Sequence, residues 1–309
     1  MAARLPKQVK SVMRALAIAV LMVSVLTSSL ARGSEVVFGV IATDSASIQR
    51  QRWEPLFRDM ERKTGLTIRS YFAPDYAGVV EAMRFGKVHV AWLGNKAAIE
   101  AVDRSQAEVF AQVVYADGSL GYNSLLLARQ DSPYQNEADV LRHAAQIHLG
   151  LGDPSSTSGF LVPVYYLFTK NGIDHRVAFK SVRNASHGAN IQAVLARQVD
   201  VAIANTEDYG KLVETKPALA RQLRVLWRSP LIPSDPLVWR RDLDPAVKAS
   251  VRQFLLNYAK QDPLEKSIMQ GIYNYGGFRA SSDAQLLPIR ELERARDRER
   301  STVQRAGAT

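Results

Sequence analysis

Residues 147–170 read IHLGLGDPSSTSGFLVPVYYLFTK, and the fold class is predicted most directly from this segment. Ile147–Leu151 is predicted to be a short strand, and the apolar run from Gly159 to Lys170 is predicted to be a helix. The polar segment GDPSSTS joins the two. A strand that passes through a short loop into a helix is the repeating unit of α/β proteins.

The same alternation extends toward the N-terminus. Strands are predicted at 36–40, 66–72, 88–92 and 107–115, and helices are predicted around Trp53, after Asp75 and over 95–103. The helix around Trp53 carries its apolar residues at helical spacing. We therefore predict a mainly parallel sheet with helices on both faces.

The pattern then starts again in the second half of the chain. Strands are predicted at 124–128, 179–182, 199–204 and 223–227, and helices at 137–145, from near His187, over 245–260 and from Pro263. This predicts two α/β lobes joined by crossings at Gly118–Gly121 and Leu231–Asp235. Lobe 1 would comprise 32–120 and 232–290, and lobe 2 would comprise 121–231. Because ligands of such sheets bind beyond the carboxyl ends of the strands, we expect the ligand cleft between the lobes.

The two ends of the chain differ from its body. Residues 1–31 combine a basic stretch that ends at Arg14 with an apolar run from Ala15 to about Leu30, which is typical of a secretory signal peptide. A membrane anchor is the alternative, but the run is short for a bilayer that requires about 20 apolar residues. The Arg-rich segment 291–309 is predicted to be either a charged tail or a helix that pairs two protomers.

The composition of the chain favours some classes of ligand and excludes several kinds of site. The 309 residues carry a formal charge of +10, which favours an anionic ligand or partner. The sequence contains no basic stripe interleaved with aromatic residues, and it therefore gives no indication of a nucleic-acid module. The chain has no cysteine, which excludes disulfides, thiolate metal sites and a lipid anchor on cysteine, and its five histidines lack metal-ligand spacing. We expect an exported, periplasmic protein that needs no metal and no cofactor.

Three adjacent hydroxyl residues, Ser156, Thr157 and Ser158, stand at the start of the helix predicted in the opening stretch. Helix N-termini present unpaired backbone N–H groups and a positive partial charge, so the segment predicts an oxyanion site. The alternative is an ordinary N-cap, for which one serine or threonine suffices. The segment is not a P-loop, because the Gly-Lys-Ser/Thr ending is missing.

Further candidate ligand-binding residues follow other predicted strands or lie at the crossings. They are Tyr76, Tyr122, His187, Glu207 and Asp235. Each also has an ordinary structural explanation. His187 could be a capped or surface residue, Glu207 a favourable charge at a helix start and Asp235 a turn residue. Tyr76 lies where a loop enters a helix, and Tyr122 lies in the turn at the first crossing.

A secreted hydrolase is the alternative from another functional class. Ser158 would be its nucleophile and His187 the base that activates it. The sequence lacks the Gly-x-Ser-x-Gly elbow in which many such nucleophiles lie. We therefore prefer a binding protein, not an enzyme.

Several segments resemble the phosphonate-binding proteins of ABC transporters. They are PDYAG at 74–78, MRF at 83–85, GDPSSTSGF at 152–160, SPLIP at 229–233 and FRASSD at 278–283. The resemblance covers residues 36–290. It implies a type II periplasmic-binding-protein fold that closes on its ligand like a hinged trap, with a membrane permease as partner.

The resemblance also implies a role for each candidate residue. The residues implied to grip the phosphonate oxygens are Ser156, Thr157, Ser158, Tyr122 and His187. Tyr76 would line the pocket, and Glu207 and Asp235 would meet an amino group of the ligand. The implied ligand is an aminoalkylphosphonate such as 2-aminoethylphosphonate, with phosphite, phosphate or a sulfonate as the alternatives. The positions that depart from the family pattern are Leu93, Leu120, Asn123 and Gly188.

Overall fold

The computed structural model describes residues 33–306, so the predicted signal peptide at 1–31 lies outside the described residues. The strands are β1 (Glu35–Val40), β2 (Thr67–Phe72), β3 (Val90–Trp92), β4 (Ala107–Tyr115), β5 (Gly121–Tyr122), β6 (Ser124–Arg129), β7 (His148–Leu151), β8 (Ser181–Asn184), β9 (Val201–Asn205), β10 (Leu223–Arg228), β11 (Ile232–Pro233), β12 (Pro236–Arg240) and β13 (Tyr275–Ala280). The alternation of strands and helices predicted from the sequence is confirmed.

The helices lie between these strands and at the C-terminal end. They are α1 (Ala46–Thr64), α2 (Tyr76–Arg84), α3 (Asn95–Arg104), α4 (Glu137–Arg142), α5 (His175–Ala178), α6 (His187–Leu195), α7 (Thr206–Thr215), α8 (Pro217–Ala220), α9 (Pro245–Asn257), α10 (Pro263–Tyr273) and α11 (Leu287–Ala306). Short 3-10 turns occur at Ala144–Gln146, Thr169–Asn171 and Asp283–Leu286. Within residues 33–306, no helix is both long and apolar enough to cross a membrane.

The strands form two large sheets. The six-stranded sheet has the order β13-β4-β12-β3-β1-β2, and the five-stranded sheet has the order β10-β6-β9-β7-β8. We call the part of the chain built on the six-stranded sheet lobe 1 and the part built on the five-stranded sheet lobe 2. This strand content supports the division into 32–120 with 232–290 and 121–231, which stays a prediction.

Both large sheets are mixed, so the prediction of mainly parallel sheets was wrong. Parallel pairing joins β1 to β2 and β3, and β7 to β8 and β9. The chain re-enters lobe 1 as β12, which inserts between β3 and β4 and is antiparallel to both. In lobe 2, β6 is antiparallel to β9 and β10. Parallel neighbours along the chain need a crossover helix between them, whereas a strand that re-enters a lobe from the other lobe does not. Such a strand can therefore run antiparallel to its neighbours.

The two predicted crossings lie side by side. The chain leaves lobe 1 through β5 and returns through β11, and these strands pair antiparallel with Ile232 opposite Tyr122. A Cβ atom at Gly121 would lie 2.6 Å from the Ile232 carbonyl oxygen, so the close approach of the two strands requires glycine there. The pair forms a hinge of two crossings between the lobes.

The apolar residues predicted to face inward form the core of lobe 1. Trp53, Leu56, Phe57 and Met60 follow one face of α1 and are buried. The Trp53 ring lies 5.1 Å from the ring of Trp92 in β3, centroid to centroid. In lobe 2, alternate residues of β6 face separate cores on opposite faces of the sheet, which is why this sheet carries helices on both sides.

The helix predicted from Gly159 to Lys170 is irregular. It consists of two π-helical turns, Thr157–Leu161 and Val164–Phe168. The Leu161 N–H donates to the carbonyl of Ser156, five residues earlier. Pro163 lies between the turns, where it lacks an N–H and disrupts regular α-helical hydrogen bonding. The first of these wider turns contains Thr157 and Ser158 of the hydroxyl segment, and Ser156 is its N-cap.

The C-terminal Arg-rich segment is helical in its described part. Helix α11 spans Leu287–Ala306, and Arg290 forms an ion pair with Asp103 of lobe 1. Glu299 accepts a hydrogen bond from the Tyr165 hydroxyl of lobe 2 at 3.2 Å. The helix therefore contacts both lobes.

Candidate functional site

The eight candidate residues lie between the two lobes and are buried. None of them exposes more than 7% of its surface. Lobe 1 supplies Tyr76 at the start of α2, and lobe 2 supplies the hydroxyl segment after β7, His187 after β8 and Glu207 after β9. Tyr122 and Asp235 come from the two crossings. Parallel strands end at a common edge, and this edge is where α/β sheets bind ligands.

The three hydroxyl residues have different partners. The Ser156 hydroxyl accepts from the Gly159 N–H at 2.9 Å, so this residue is the N-cap of the alternative interpretation. The Ser158 hydroxyl lies 3.3 Å from Nε2 of His187 and adjoins the Tyr122 hydroxyl. A cap therefore accounts for Ser156 but leaves the other two hydroxyls to be explained.

Thr157 reaches from lobe 2 to lobe 1. Its hydroxyl oxygen accepts from the Lys96 N–H at 2.8 Å, in the first turn of α3. The N-cap of α3 is Gly94, which offers no side chain for capping. Thr157 therefore caps a helix of the opposite lobe, and its own hydroxyl hydrogen remains able to donate to an oxyanion. This contact belongs to a closed arrangement of the lobes.

His187 is buried and electrically neutral near pH 7. Burial lowers its pKa to about 4, and its Nδ1 has no hydrogen-bond partner among residues 33–306. A hydrolase base needs a third group that orients the imidazole, and this arrangement does not provide one. The Ser158–His187 contact therefore suits a ligand-binding pair better than a nucleophile and its base.

Glu207 projects from the start of α7 toward lobe 1. Its Oε1 accepts from the Tyr115 hydroxyl at 2.7 Å and from the Tyr275 hydroxyl at 3.0 Å. Burial raises the pKa of Glu207 to about 7, while the two phenols and Arg52 favour the ionised form. Sequence reasoning missed both tyrosines, whose positions at the ends of strands carry no distinctive motif.

Asp235 lies at the second crossing and accepts from the Tyr122 hydroxyl at 3.0 Å. Burial and the nearby Glu207 raise the pKa of Asp235 well above its ordinary value. Two carboxylates thus lie close together in a buried setting. Such an arrangement favours a bound cation or ammonium group, because burial of unpaired like charges is costly.

Sequence reasoning also missed a group of charged residues beside Glu207. Asp208 is buried, its pKa is raised to about 8 by burial, and its Oδ2 has no partner among the described residues. Arg52 of α1 lies 3.7 Å from Oδ1 of Asp208 and 3.6 Å from Oδ2 of Asp44. The group connects lobe 1 with lobe 2. In the sequence, this charged group was indicated only by the two adjacent acidic residues in Asn205-Thr206-Glu207-Asp208.

The departures from the family pattern have local explanations at two positions. At Gly188, an added Cβ atom would lie 2.6 Å from Oδ1 of Asp44, so a side chain after His187 has no space there. The Asn123 amide donates to the Ser229 carbonyl at 2.9 Å and thereby joins the two crossings on the lobe 2 side. Leu93 is fully buried in the core of lobe 1.

Open space borders the buried residues on two sides. A cleft of about 1260 Å³ is lined by Asp44, Arg52, Gly188 and Asp208 among others. A smaller cavity of about 470 Å³ is lined by residues that include Tyr115, Tyr122 and Glu207. Over residues 33–306, no group of three or more acidic or histidine side chains is arranged to hold a metal ion.

The model of a known family matches residues 38–286 of the chain. Its description is ABC transporter, phosphonate, periplasmic substrate-binding protein. The chain belongs to this family. It is therefore the periplasmic phosphonate-binding component of an ABC transporter and not an enzyme, and the resemblance noted in the sequence is confirmed.

Individual relatives agree with this assignment. The phosphonates-binding periplasmic protein of Escherichia coli is 49% identical over 255 residues, which cover 82% of this chain and 75% of that protein. A binding-protein component of an ABC phosphonate transporter from Pseudomonas aeruginosa, known as a crystal structure, is 47% identical. It superimposes with a TM-score of 0.85 over 87% of this chain and 89% of its own. The predicted type II periplasmic-binding-protein fold is confirmed.

A more distant relative is named for a different ligand. The phosphate-import protein PhnD of Mycolicibacterium smegmatis is 28% identical over 221 residues, or 69% of this chain and 68% of that protein. A relative of this chain is therefore named for phosphate. The ligand that this chain prefers depends on the residues of its own site.

Proposed function

We propose that this binding protein captures aminoalkylphosphonates, such as 2-aminoethylphosphonate, and delivers them to the membrane permease of its ABC transporter. The supporting observation is the position of Tyr122. Its hydroxyl donates to Asp235 at 3.0 Å and also adjoins the hydroxyl of Ser158. The Ser158 hydroxyl, at the hydroxyl end of the site, and the Asp235 carboxylate, at its carboxylate end, are thus at most about 6 Å apart, which is two hydrogen-bond lengths. This spacing suits a phosphonate that carries an ammonium group a few bonds away.

Electrostatics supports an ammonium group at the carboxylate end. A simple anion near Glu207 and Asp235 is repelled, and one such pair at 4 Å costs roughly 4 kcal/mol with an effective dielectric constant near 20. An ammonium group reverses the sign of this interaction and donates charged hydrogen bonds to both carboxylates. The buried carboxylates therefore favour a zwitterionic ligand over phosphate or methylphosphonate.

We assign the ligand contacts as follows. The residues that grip the phosphonate oxygens are Ser156, Thr157, Ser158, Tyr122 and His187, and Tyr122 does so by turning its one hydroxyl hydrogen from Asp235 to the ligand. Tyr76 lines the pocket, and its backbone N–H donates to Asp153 of lobe 2 at 3.2 Å. Glu207 and Asp235 accept from the ammonium group. An anionic ligand would also raise the pKa of His187 and favour its protonation.

A second candidate function is the binding of a simple oxyanion. The relative named for phosphate import favours phosphate, and phosphite and sulfonates share the same tetrahedral oxygens. The hydroxyl end suits all of these ligands. The carboxylate end disfavours them, because it leaves their negative charge beside buried acids.

Calorimetry distinguishes these ligands. The purified protein is titrated with 2-aminoethylphosphonate, methylphosphonate, phosphite, phosphate and an alkylsulfonate. We expect 2-aminoethylphosphonate to bind most tightly, since it alone of these ligands supplies an ammonium group. Phosphate or methylphosphonate binding with equal or higher affinity would refute the aminoalkylphosphonate proposal.

We further propose that residues 1–31 direct export and are removed, and that the mature protein carries no lipid anchor because the chain has no cysteine. Mass spectrometry of the periplasmic protein locates the cleavage site. A homodimer paired through 291–309 is the alternative to a monomer. Light scattering of the mature protein, with and without that segment, measures the oligomeric state.

A further inference from the structure

We infer that Tyr115 and Tyr275 are positioning residues that orient the Glu207 carboxylate toward the ammonium group of the ligand and thereby determine selectivity for aminoalkylphosphonates. The inference rests on the proposed function, in which Glu207 accepts from that ammonium group. It concerns two residues that lie outside every motif of the sequence.

The two tyrosines are cross-strand partners. Tyr275 in β13 lies opposite Tyr115 in β4, at one edge of the six-stranded sheet. Their ring centroids are 5.5 Å apart, with the planes inclined by 73°. Residues directly opposite in antiparallel strands project to the same face, so the register brings both hydroxyls to one point.

Both hydroxyls donate to the same oxygen of Glu207. The distances to Oε1 are 2.7 Å from Tyr115 and 3.0 Å from Tyr275. The other oxygen, Oε2, accepts from neither phenol. Two donors on one oxygen fix the rotation of the carboxylate and leave Oε2 to face a ligand. A carboxylate has enough lone pairs to accept further hydrogen bonds at that oxygen.

The contact also crosses between the lobes. Glu207 belongs to α7 of lobe 2, and both tyrosines belong to the sheet of lobe 1. The carboxylate is therefore held in this orientation when the lobes are closed. Closure assembles the ammonium site at the same time as it encloses the ligand, which links selectivity to the closed state.

The charged and titratable groups around Glu207 determine whether its carboxyl is ionised. The titratable and charged groups that act on Glu207 are Arg52, Tyr115, Asp208, Asp235, Tyr122 and Tyr275. Burial opposes ionisation of the carboxyl, and the two phenols favour it. Removing either phenol would raise the pKa of Glu207 and reduce the ionised fraction that an ammonium group needs.

The test compares three tyrosine-to-phenylalanine variants, which keep the ring and remove one hydroxyl. Tyr115→Phe and Tyr275→Phe remove the donors to Glu207. Tyr258→Phe is the matched control, because its hydroxyl donates to Asp59 at 2.7 Å elsewhere in lobe 1. Affinities for 2-aminoethylphosphonate and methylphosphonate are measured by calorimetry at several pH values, and melting curves confirm that each variant is folded.

We expect Tyr115→Phe and Tyr275→Phe to weaken 2-aminoethylphosphonate binding about tenfold each, the loss typical of one hydrogen bond to a charged group. Methylphosphonate binding should stay within about twofold. Methylphosphonate has no ammonium group, so its binding does not depend on how the Glu207 carboxylate is oriented. Tyr258→Phe should change neither ligand. The loss in Tyr115→Phe relative to wild type should grow as the pH falls from 8 to 6, since its Glu207 titrates at higher pH.

Glu207→Gln separates failure of this inference from failure of the proposed function. If Glu207→Gln abolishes the preference for the amino ligand while both phenylalanine variants keep it, the positioning role is wrong and the proposed function stands. Equal losses for both ligands would mean that the tyrosines merely join the lobes, which also overturns the inference. If Glu207→Gln keeps the preference, Glu207 does not recognise the ammonium group and the inference falls, while the proposed ligand class stands. A wild-type protein without the preference would overturn both. Should Tyr275→Phe not fold, Tyr115→Phe alone decides.

Discussion

The hydroxyl end and the carboxylate end of the site are built in opposite ways. Three consecutive residues, Ser156 to Ser158, supply the hydroxyl end within one turn of lobe 2. The carboxylate end combines Glu207 of α7, Asp235 of the second crossing and tyrosines of two lobe 1 strands. The first is a local structure, and the second exists only as a tertiary arrangement.

This difference assigns different tasks to the two ends. Neutral hydroxyls and backbone N–H groups at a helix start can bind any tetrahedral oxyanion, because they respond to negative charge and not to the rest of the ligand. Buried carboxylates penalise an anion and reward a cation. Affinity common to the whole ligand class should therefore reside in the hydroxyl end, and selectivity should reside in the carboxylate end.

The largest expected effect is loss of selectivity in Glu207→Gln. The amide keeps the shape and can still accept from the tyrosines, but it lacks the charge that pairs with the ammonium group. We expect binding of 2-aminoethylphosphonate to weaken by about 2–5 kcal/mol, as for a truncated buried charge pair. Methylphosphonate should bind equally or slightly more tightly. Calorimetry with both ligands measures this change.

The matched control is Glu214→Gln, two helical turns further along α7. Glu214 pairs with Lys211, but its side chain is 60% exposed. Surface pairs contribute about 0–1 kcal/mol, so the control should leave the ratio of the two affinities unchanged. Equal loss for both ligands in Glu207→Gln would assign Glu207 to lobe contact and not to recognition of the amine.

Thr157→Ala should have the next largest effect, and it should be uniform across ligands. The variant loses the hydroxyl that we propose as a donor to the phosphonate, and this hydroxyl also caps α3 across the cleft. A charge-assisted hydrogen bond contributes about 1.5–3 kcal/mol, and every phosphonate should weaken by a similar factor. Thr157→Ser, which keeps the hydroxyl, should restore most of the affinity. Unchanged affinity in a folded alanine variant would remove Thr157 from the site.

The contrast between the two ends also explains what the sequence could predict. The hydroxyl segment was identified because its residues are consecutive and stand between a strand and a helix. Glu207 and Asp235 were noted at a strand end and at a crossing, and the family resemblance implied their role. Tyr115 and Tyr275 were missed, because they are 92 and 68 residues from Glu207 in the chain. Arg52 was missed for the same reason, since its partner Asp208 lies on another lobe.

The fold shows the same division between local and non-local information. Strand and helix positions follow from local apolar periodicity, and they were predicted within a few residues. The direction of β12 depends on where the chain re-enters lobe 1, which no local pattern records. The irregular helix is a different case, because Pro163 was a visible signal that the prediction of a single helix overlooked.

Gly188→Ala tests whether closure of the two lobes contributes to ligand binding at both ends of the site. We expect its effect to be smaller than that of Thr157→Ala. The new Cβ atom would lie 2.6 Å from Oδ1 of Asp44, across the interface between the lobes. Asp44 is held by Arg52 and by the Ser45 N–H, so its displacement breaks existing contacts. We expect a loss of about 1–2 kcal/mol for all ligands, within the usual range for overpacking.

The control for this substitution is Gly210→Ala on α7. No atom lies within 4 Å of an added Cβ at Gly210, and alanine favours the helix. This control should bind all ligands normally and melt at the same or a higher temperature. Wild-type affinity in Gly188→Ala would show that the lobes do not approach this closely in the liganded protein.

The last prediction concerns the effect of pH on closure of the lobes without ligand. Burial in the closed form raises the pKa of Glu207 from 4.5 to about 7 and that of Asp208 from 3.8 to about 8. A group with a raised pKa favours the closed form while it is protonated, and this contribution is lost as the pH rises through the raised value. Between pH 6 and pH 8.5, closure without ligand should therefore become less favourable.

His187 acts in the opposite direction and mainly below this range. Burial lowers its pKa to about 4, so its contribution to the closed form is present above its ordinary value of 6.5 and is lost as the pH falls below it. Small-angle scattering should then give a larger radius of gyration for the ligand-free protein at pH 8.5 than at pH 6. Glu207→Gln should reduce this difference, and saturating 2-aminoethylphosphonate should give the smaller radius at both pH values, because ligand selects the closed form. A ligand-free radius that is independent of pH, or a dependence that persists fully in Glu207→Gln, would mean that the carboxylate end does not control closure.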